Sequence, residues 1–434
     1  MTTRDRYVWS RRVNGSLHPF TLRCYVSGCP WKAPLLPFKV IGLSVAAAAR
    51  ALAIRFRRAA LRRKVRELFF RQVGDGVRPI AFYLPQFHSF PENDAWWGKG
   101  FTEWTNVRAA RPLYEGHAQP QVPHPDVGYY DLTDVGVMRR QAEMARQYGV
   151  AGFCFYYYWF KDGKRLLEQP VDNWLAAKDI DFPFCFCWAN ENWTRAWTGG
   201  DREVLMPQDY GVENMVGMLH EMLPAFRDPR YIRVGGRPLL LVYRPEIVPE
   251  MRKVAELWRG VARTAGFDGL HLVAVQNFSE EDPRTFGLDA ATEFASFHAV
   301  QPSFRSPALK PETCRVANLR RYEDIVDGCI CRSAPAYPRY RSVCPGWDNT
   351  PRRGERGTAV IGATPAAFRK FTAQASALTL VERGADGDGL LFVNAWNEWA
   401  ESAHLEPDVR NGYSNLEALR DVMGLDMKGL ADSL

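Results

Sequence analysis

Long apolar runs, metal-ligand spacings and a glycine-rich phosphate loop are all missing from this 434-residue chain. The apolar stretch Val40–Ala49, bounded by Lys39 and Arg50, is about half of the roughly 20 residues a helix needs to cross a bilayer, so no transmembrane helix is expected. A polar, Pro-containing stretch precedes it, which fits a signal peptide poorly. The nine cysteines are an odd set for a disulfide framework. Cys185-x-Cys187 and Cys329-x-Cys331 lack the two-residue gap of a zinc knuckle, and no His pair follows at ligand spacing; no metal and no other cofactor are expected. Cys154, Cys185 and Cys187 lie in strand-like apolar runs, where a thiol acts as a small hydrophobe, and a reducing, cytoplasmic setting is the simpler reading. After the first candidate strand, Pro85-Gln86-Phe87-His88 stands where a nucleotide cradle would need glycines. Asp179-Ile180-Asp181 and Asp386-Gly387-Asp388 have the spacing of a metal-dependent nucleotide-sugar site but precede strands, at the wrong face.

Acidic residues are scarce at one end only. Residues 1–75 hold 16 Lys and Arg against 3 Asp and Glu, a net +13 that leaves −6 for the rest of a chain whose total is +7. No zinc-finger, glycine-rich RNA-binding or heptad pattern accompanies that charge, so nucleic acid is not the expected partner. From Val40 to Phe70, apolar residues such as Leu52, Phe56 and Leu61 interleave with Arg55, Arg57, Arg58, Arg62, Arg63, Lys64 and Arg66, as in a basic amphipathic helix. Two readings stay open: a solvated basic tail, or docking on an anionic membrane surface, peripheral to the inner face.

What is present in quantity is alternation. From residue 78, short apolar runs alternate with amphipathic stretches, the signature of βα units around a parallel sheet. Eight candidate strands are read at Pro79–Leu84, Val150–Tyr157, Phe184–Ala189, Pro238–Tyr243, Leu270–Val275, Ala290–Phe294, Arg341–Pro345 and Gly389–Ala395. Eight closes a (β/α)8 TIM barrel. Helices are expected over Val135–Tyr148, capped by Thr133 or Asp134 and stopped by Gly149, and over Glu213–Leu223, Met251–Thr264, Leu319–Val326 and Pro365–Leu380. The expected organisation is a basic, partly helical extension at 1–75, a barrel catalytic domain at 78–425 and a tail at 426–434.

Chemistry in such barrels gathers at the C-terminal ends of the strands. Those positions supply Gln86, His88, Trp96, Trp97, Glu103, Trp104 and Asn106; then Tyr157 and Trp159 of the Tyr156–Trp159 run; then Asn190, Glu191 and Trp193. Later strands add Glu293 with His298, Trp347 with Asp348, and Asn397, Glu398, Trp399 and Glu401. Carboxylates, amides and indoles together suit a polyhydroxylated ligand, because indole faces stack on sugar rings while amides and carboxylates bind hydroxyls. Cleaving a glycosidic bond takes one carboxyl to protonate the leaving oxygen and a second to assist at the anomeric side. Glu398 and Glu401, three apart, project to one side if the chain turns helically, and Trp399 can desolvate one of them. Ion pairing of either Glu with an arginine is the plainer alternative, and Tyr156–Tyr158 alternate faces, so one of them packs against a helix.

Five strings carry a resemblance: Ala81-Phe82-Tyr83-Leu84-Pro85-Gln86-Phe87-His88, Gly100-Phe101-Thr102-Glu103-Trp104-Thr105-Asn106-Val107, Trp188-Ala189-Asn190-Glu191-Asn192-Trp193, Gly346-Trp347-Asp348-Asn349 and Asn394-Ala395-Trp396-Asn397-Glu398-Trp399-Ala400-Glu401. They resemble the WbsX-like family of polysaccharide-biosynthesis loci, which is similar to glycoside hydrolase family 99, over roughly residues 78–425. Family 99 enzymes are retaining endo-α-mannosidases that pass through a 1,2-anhydro sugar. The resemblance implies that Glu398 takes the proton of the substrate's 2-hydroxyl and that Glu401 protonates the leaving oxygen, then activates water. Ala400 stands where those hydrolases carry His, and the WbsX-like family is commonly assigned to glycosyl transfer in lipopolysaccharide or O-antigen biosynthesis. Hydrolysis, transfer and non-catalytic glycan binding are therefore the three readings, each with an oligo- or polysaccharide as partner.

Overall fold

The computed structural model describes residues 76–195, 200–295, 314–383 and 388–425, with scattered positions between 49 and 63 and at 429. Eight parallel strands form its core: β1 (Arg78–Tyr83), β2 (Gly152–Trp159), β3 (Phe184–Trp188), β4 (Arg237–Val242), β5 (His271–Gln276), β6 (Ala290–Glu293), β7 (Arg339–Val343) and β8 (Leu390–Val393). Each pairs in parallel with the next in chain order. β8 then pairs with β1, Pro79 opposite Leu391, so the sheet closes into a (β/α)8 barrel. All eight expected strands are present, displaced by no more than two residues at either end.

Strands buried on both faces read as continuous apolar runs, which is why FCFCW and RPLLLV make strands without polar alternation. Inside the barrel, Phe82 meets Tyr156, Phe294 and Phe392 at ring-centroid distances of 5.6, 5.4 and 5.6 Å. Outside, Phe153 and Phe155 pack on Trp174 of helix Glu168–Ala176. The period of two then sends Cys154, Tyr156 and Tyr158 inward, and Phe153, Phe155, Tyr157 and Trp159 toward the helices.

Helix Val135–Gln147 begins where Asp134 accepts the Gly136 N–H at 2.7 Å, and it ends before Gly149, whose φ of 81° a side chain would disfavour. Val137, Met138, Ala142 and Ala145 form its buried face, together with one amide, Gln141. Helices Val212–Arg227, Met251–Thr264 and Pro365–Arg383 cover three of the expected stretches. The expected helix Leu319–Val326 needs correction. Asn318–Arg321 is a strand paired in parallel with Thr358–Ile361, and the helix starts only at Tyr322. Leu319 is buried against Val316 and Ala359 there, so pairing outside the barrel overrides the local helical pattern.

At the other end of the chain, Ala49, Leu52, Ala53, Arg55, Phe56, Ala59, Ala60 and Arg63 are helical and exposed, Leu52 and Phe56 by 54% and 67%. The rest of the expected basic helix, His298, Asp386, Gly387 and all of the tail but Gly429 lie outside the described residues. No described helix is long and apolar enough to cross a membrane.

Candidate active site

Beyond β8 the chain makes a tight hairpin. Asn397 and Glu398 pair with His404 and Ala403, and Trp399–Glu401 form a single 3-10 turn between them. That turn puts both carboxyl groups on one guanidinium: Arg352 Nη2 lies 2.6 Å from Glu398 Oε1, and Nη1 lies 2.9 Å from Glu401 Oε1. A third carboxylate, Glu103, stands 3.2 Å from Nη2. Three separate segments build this cluster. Glu103 is in the first turn of helix Glu103–Ala109, which Thr102 caps. Arg352 is in the one-turn helix Thr350–Arg353, and the Asp348 N–H donates to the Glu401 carbonyl at 2.6 Å, tying that segment to the hairpin.

Three carboxylates on one cation leave an excess of negative charge in a place almost without water; Glu103 is 1% exposed and Glu398 6%. Burial pushes Glu398 up to about 8 against the pull of Arg352, and repulsion from Glu401 and Glu103 adds to the rise. Glu401 is raised as well, by burial against the same guanidinium, with Glu103 adding. Glu398 and Glu401 therefore hold protons jointly, and their titration belongs to the pair rather than to one residue. Arg352 is held firmly charged: burial disfavours its cation, but Glu103, Glu398 and Glu401 outweigh that.

The inward tyrosines of β2 face this charge. Burial raises Tyr156 and Tyr158, and Glu398 adds to both. Tyr158 Oη accepts from Gln86 Nε2 at 2.8 Å, and its ring meets Trp193 at 5.3 Å. Trp193 in turn contacts Trp96 and Phe90 at 6.0 and 6.2 Å, so half-buried rings gather beside the acid cluster. Asn106 lies one turn beyond Glu103 on the same helix, with a buried amide nitrogen that makes no hydrogen bond. His88 is 2% exposed, and burial holds its pKa below the ordinary value.

Several residues expected to bind substrate are placed elsewhere. Tyr157 lies under Arg165 and against Phe186, and Trp159 donates to Asn214 of helix Val212–Arg227; both belong to the helix layer, so the inward partners are Tyr156 and Tyr158. Trp399 is fully buried, donates to Glu406 at 2.7 Å and stacks on His404, leaving no face for a sugar. Trp104 is buried too, bonded to the Tyr130 carbonyl. Asn397 clamps Leu84 at 2.7 and 3.0 Å, which locks the hairpin to β1, and Asn190 likewise clamps Arg244 at the end of β4. Glu293 is buried against Arg341 at 2.8 Å and Arg339 at 3.4 Å. Glu191 pairs with Arg244 at 2.8 Å on a half-exposed rim. Trp347 is buried beside Asp348. Asp348 takes hydrogen bonds from His117 and Gln119, both at 2.7 Å; despite burial, these bonds and one from Thr350 keep its carboxyl below the usual range.

The sequence profile of the family described as Glycosyltransferase WbsX matches residues 79–419. This chain belongs to that family. The WxcX proteins of two Xanthomonas campestris pv. campestris strains are 44% identical to it over 349 residues, 79% of this chain and 49% of theirs. The chain thus spans about half the length of these curated relatives. A solved glycoside hydrolase-like protein shares the fold, with a TM-score of 0.50 at 15% identity, over 82% of this chain and 96% of its own. The endo-α-mannosidase of glycoside hydrolase family 99 from Bacteroides thetaiotaomicron superposes with a TM-score of 0.49 at 16% identity, over 80% and 95%. Among the described residues, no group of three or more His, Cys, Asp or Glu could hold a metal ion.

Proposed function

We propose that this WbsX-family chain is an enzyme acting on glycosidic bonds of a cell-surface polysaccharide or its precursor, with Glu398 and Glu401 as its catalytic pair. The observation that carries the reading is that the turn brings two buried carboxyls together beside half-buried aromatic rings; both also make the arginine ion pair that is the plainer alternative, at 2.6 and 2.9 Å from Arg352. In the retaining route that the family 99 resemblance implies, the reacting form carries the pair's proton on Glu401, and ionised Glu398 takes the proton of the 2-hydroxyl as that oxygen closes on the anomeric carbon. Glu401 gives its proton to the departing sugar oxygen as the glycosidic bond breaks. An incoming O–H then attacks the anomeric carbon, Glu401 takes its proton, and Glu398 returns the other to the 2-oxygen. Water as the incoming group gives hydrolysis; a sugar hydroxyl gives transfer.

The charge pattern favours a bond between two sugars over a sugar–phosphate bond. Arg352 is already engaged by three carboxyl groups, so it is not free to neutralise a departing diphosphate. Transfer, the activity in the family's name, then fits transglycosylation best. We also propose that the basic N-terminal segment docks on an anionic membrane, near lipid-linked precursors; exposed Leu52 and Phe56 beside arginines support this. The deciding assay incubates the purified protein with the host's surface polysaccharide and its lipid-linked precursors. Shorter chains indicate hydrolysis and longer ones transfer. Unchanged chain lengths, with glycan still bound, would leave only a binding protein.

A further inference from the structure

Glu406 is a carboxylate for which the two-glutamate chemistry has no use. It lies two residues past the site hairpin and is 2% exposed. Its oxygens are filled by neutral donors: Trp399 Nε1 at 2.7 Å and Tyr130 Oη at 2.8 Å on Oε2, and Gln141 Nε2 at 2.7 Å on Oε1. Burying a carboxylate among neutral groups is costly, and a space-filling apolar side chain would avoid that cost. The donors show what the charge holds. Trp399 is the residue after Glu398, in the turn that ends with Glu401. Asn397, the residue before Glu398, donates to Tyr130 Oη at 3.3 Å, so it reaches Glu406 through one intermediary. Gln141 belongs to helix Val135–Gln147 and accepts from Tyr83 of β1 at 2.6 Å.

Both chain neighbours of Glu398 are thus tied, through one buried anion, to the barrel wall and to a helix outside it. We propose that Glu406 is a positioning residue for the reaction: through Trp399 it sets where the turn carrying Glu398 and Glu401 stands. The inference rests on the two-carboxylate reading above. Burial raises Glu406 to about 7, so above that pH the ionised carboxylate accepts from all three donors at once, whereas a neutral group of the same shape must turn one N–H or O–H toward them, and the assays belong at pH 8. Glu406→Gln keeps the volume and, if Gln141 turns its amide over, an oxygen for Trp399 and Tyr130, but it removes the charge and so loses the charge-assisted hold on the indole.

The experiment compares Glu406→Gln, Trp399→Phe and the double variant on the polysaccharide that the wild type processes. Each single variant is expected to lower kcat by about 10- to 100-fold, the scale of a small misplacement of reacting groups, with KM within about twofold. Because both changes cut the same link, the double variant should be no slower than the worse single one. A kcat for Glu406→Gln within twofold of wild type, a rise in KM instead, or losses that multiply would overturn the proposal. Carbodiimide labelling of Glu398 and Glu401, read by mass spectrometry, needs no substrate: both single variants should change its rate in the same direction. If the wild type processes no glycan, the two-carboxylate reading fails on its own. Unchanged labelling in Glu406→Gln would then overturn the positioning role separately. Should Glu406→Gln not fold, Trp399→Phe, which removes the indole N–H together with part of the buried ring, carries the same test.

Discussion

At the scale of single residues, the site is a problem in charge. Glu103, Glu398 and Glu401 crowd Arg352, and Gln in place of either member of the proposed pair removes one acid–base group while keeping the volume. Glu398→Gln and Glu401→Gln are each expected to lower turnover at least about a hundredfold with the fold intact, measured as polysaccharide processing alongside circular dichroism. The same charge sets a pH dependence of stability. Glu398 is raised from 4.5 to about 8 and Glu406 to about 7, so the folded state binds these protons more tightly than the unfolded chain does. Their stabilisation is full at and below about pH 4.5 and is lost as pH rises toward 8. Wild-type protein should melt at lower temperature at pH 8 than at pH 5.5, and Glu398→Gln should flatten that decline; a steeper decline in the variant would contradict the assignment. Removing the cation works the other way. Arg352→Gln leaves three buried carboxylates unpaired and is expected to cost about 3–5 kcal/mol at pH 8, read by urea unfolding, and less at pH 5.5 where protons replace it. Arg352 was invisible in the sequence, because nothing local distinguishes it from Arg353 beside it; only the packing of three loops selects it.

At the scale of elements, periodicity was informative about existence and ambiguous about facing. The run Tyr156–Trp159 announces a strand, yet a period of two does not say which parity looks inward. Contact of Phe153 and Phe155 with Trp174 decides it, sending Tyr157 and Trp159 to the helix layer. Trp399 shows the same limit in a turn: an indole between two acids reads as a sugar platform, and in the fold it is the peg on which the turn hangs. The basic N-terminal segment is the element whose prediction is most direct. Its +13 charge and exposed Leu52 and Phe56 should bring the protein down with vesicles containing anionic lipid, but not with neutral ones, and salt near 0.5 M should release it. Equal sedimentation with both vesicle types would rule out electrostatic docking.

At the scale of the whole molecule, the expected division is between the basic extension and the body at 78–425. Limited proteolysis should cut within residues 1–75 before it touches the barrel, leaving a body that begins near residue 76, identified by N-terminal sequencing; first cuts inside 120–400 would argue against that division. The sequence alone determined the barrel, since eight apolar runs spaced by amphipathic stretches have few other ways to bury both faces of each strand. It also determined that Glu398 and Glu401 lie on one turn, a consequence of three-residue spacing after β8. What only the tertiary structure decided is which distant groups meet that turn: Arg352 and Glu103 at its carboxyl groups, Glu406 at Trp399 and Tyr130 at Asn397. Those meetings depend on how loops of separate βα units fold over the barrel mouth, and hydrogen bonds between segments up to about 300 residues apart leave no periodic trace in a linear sequence.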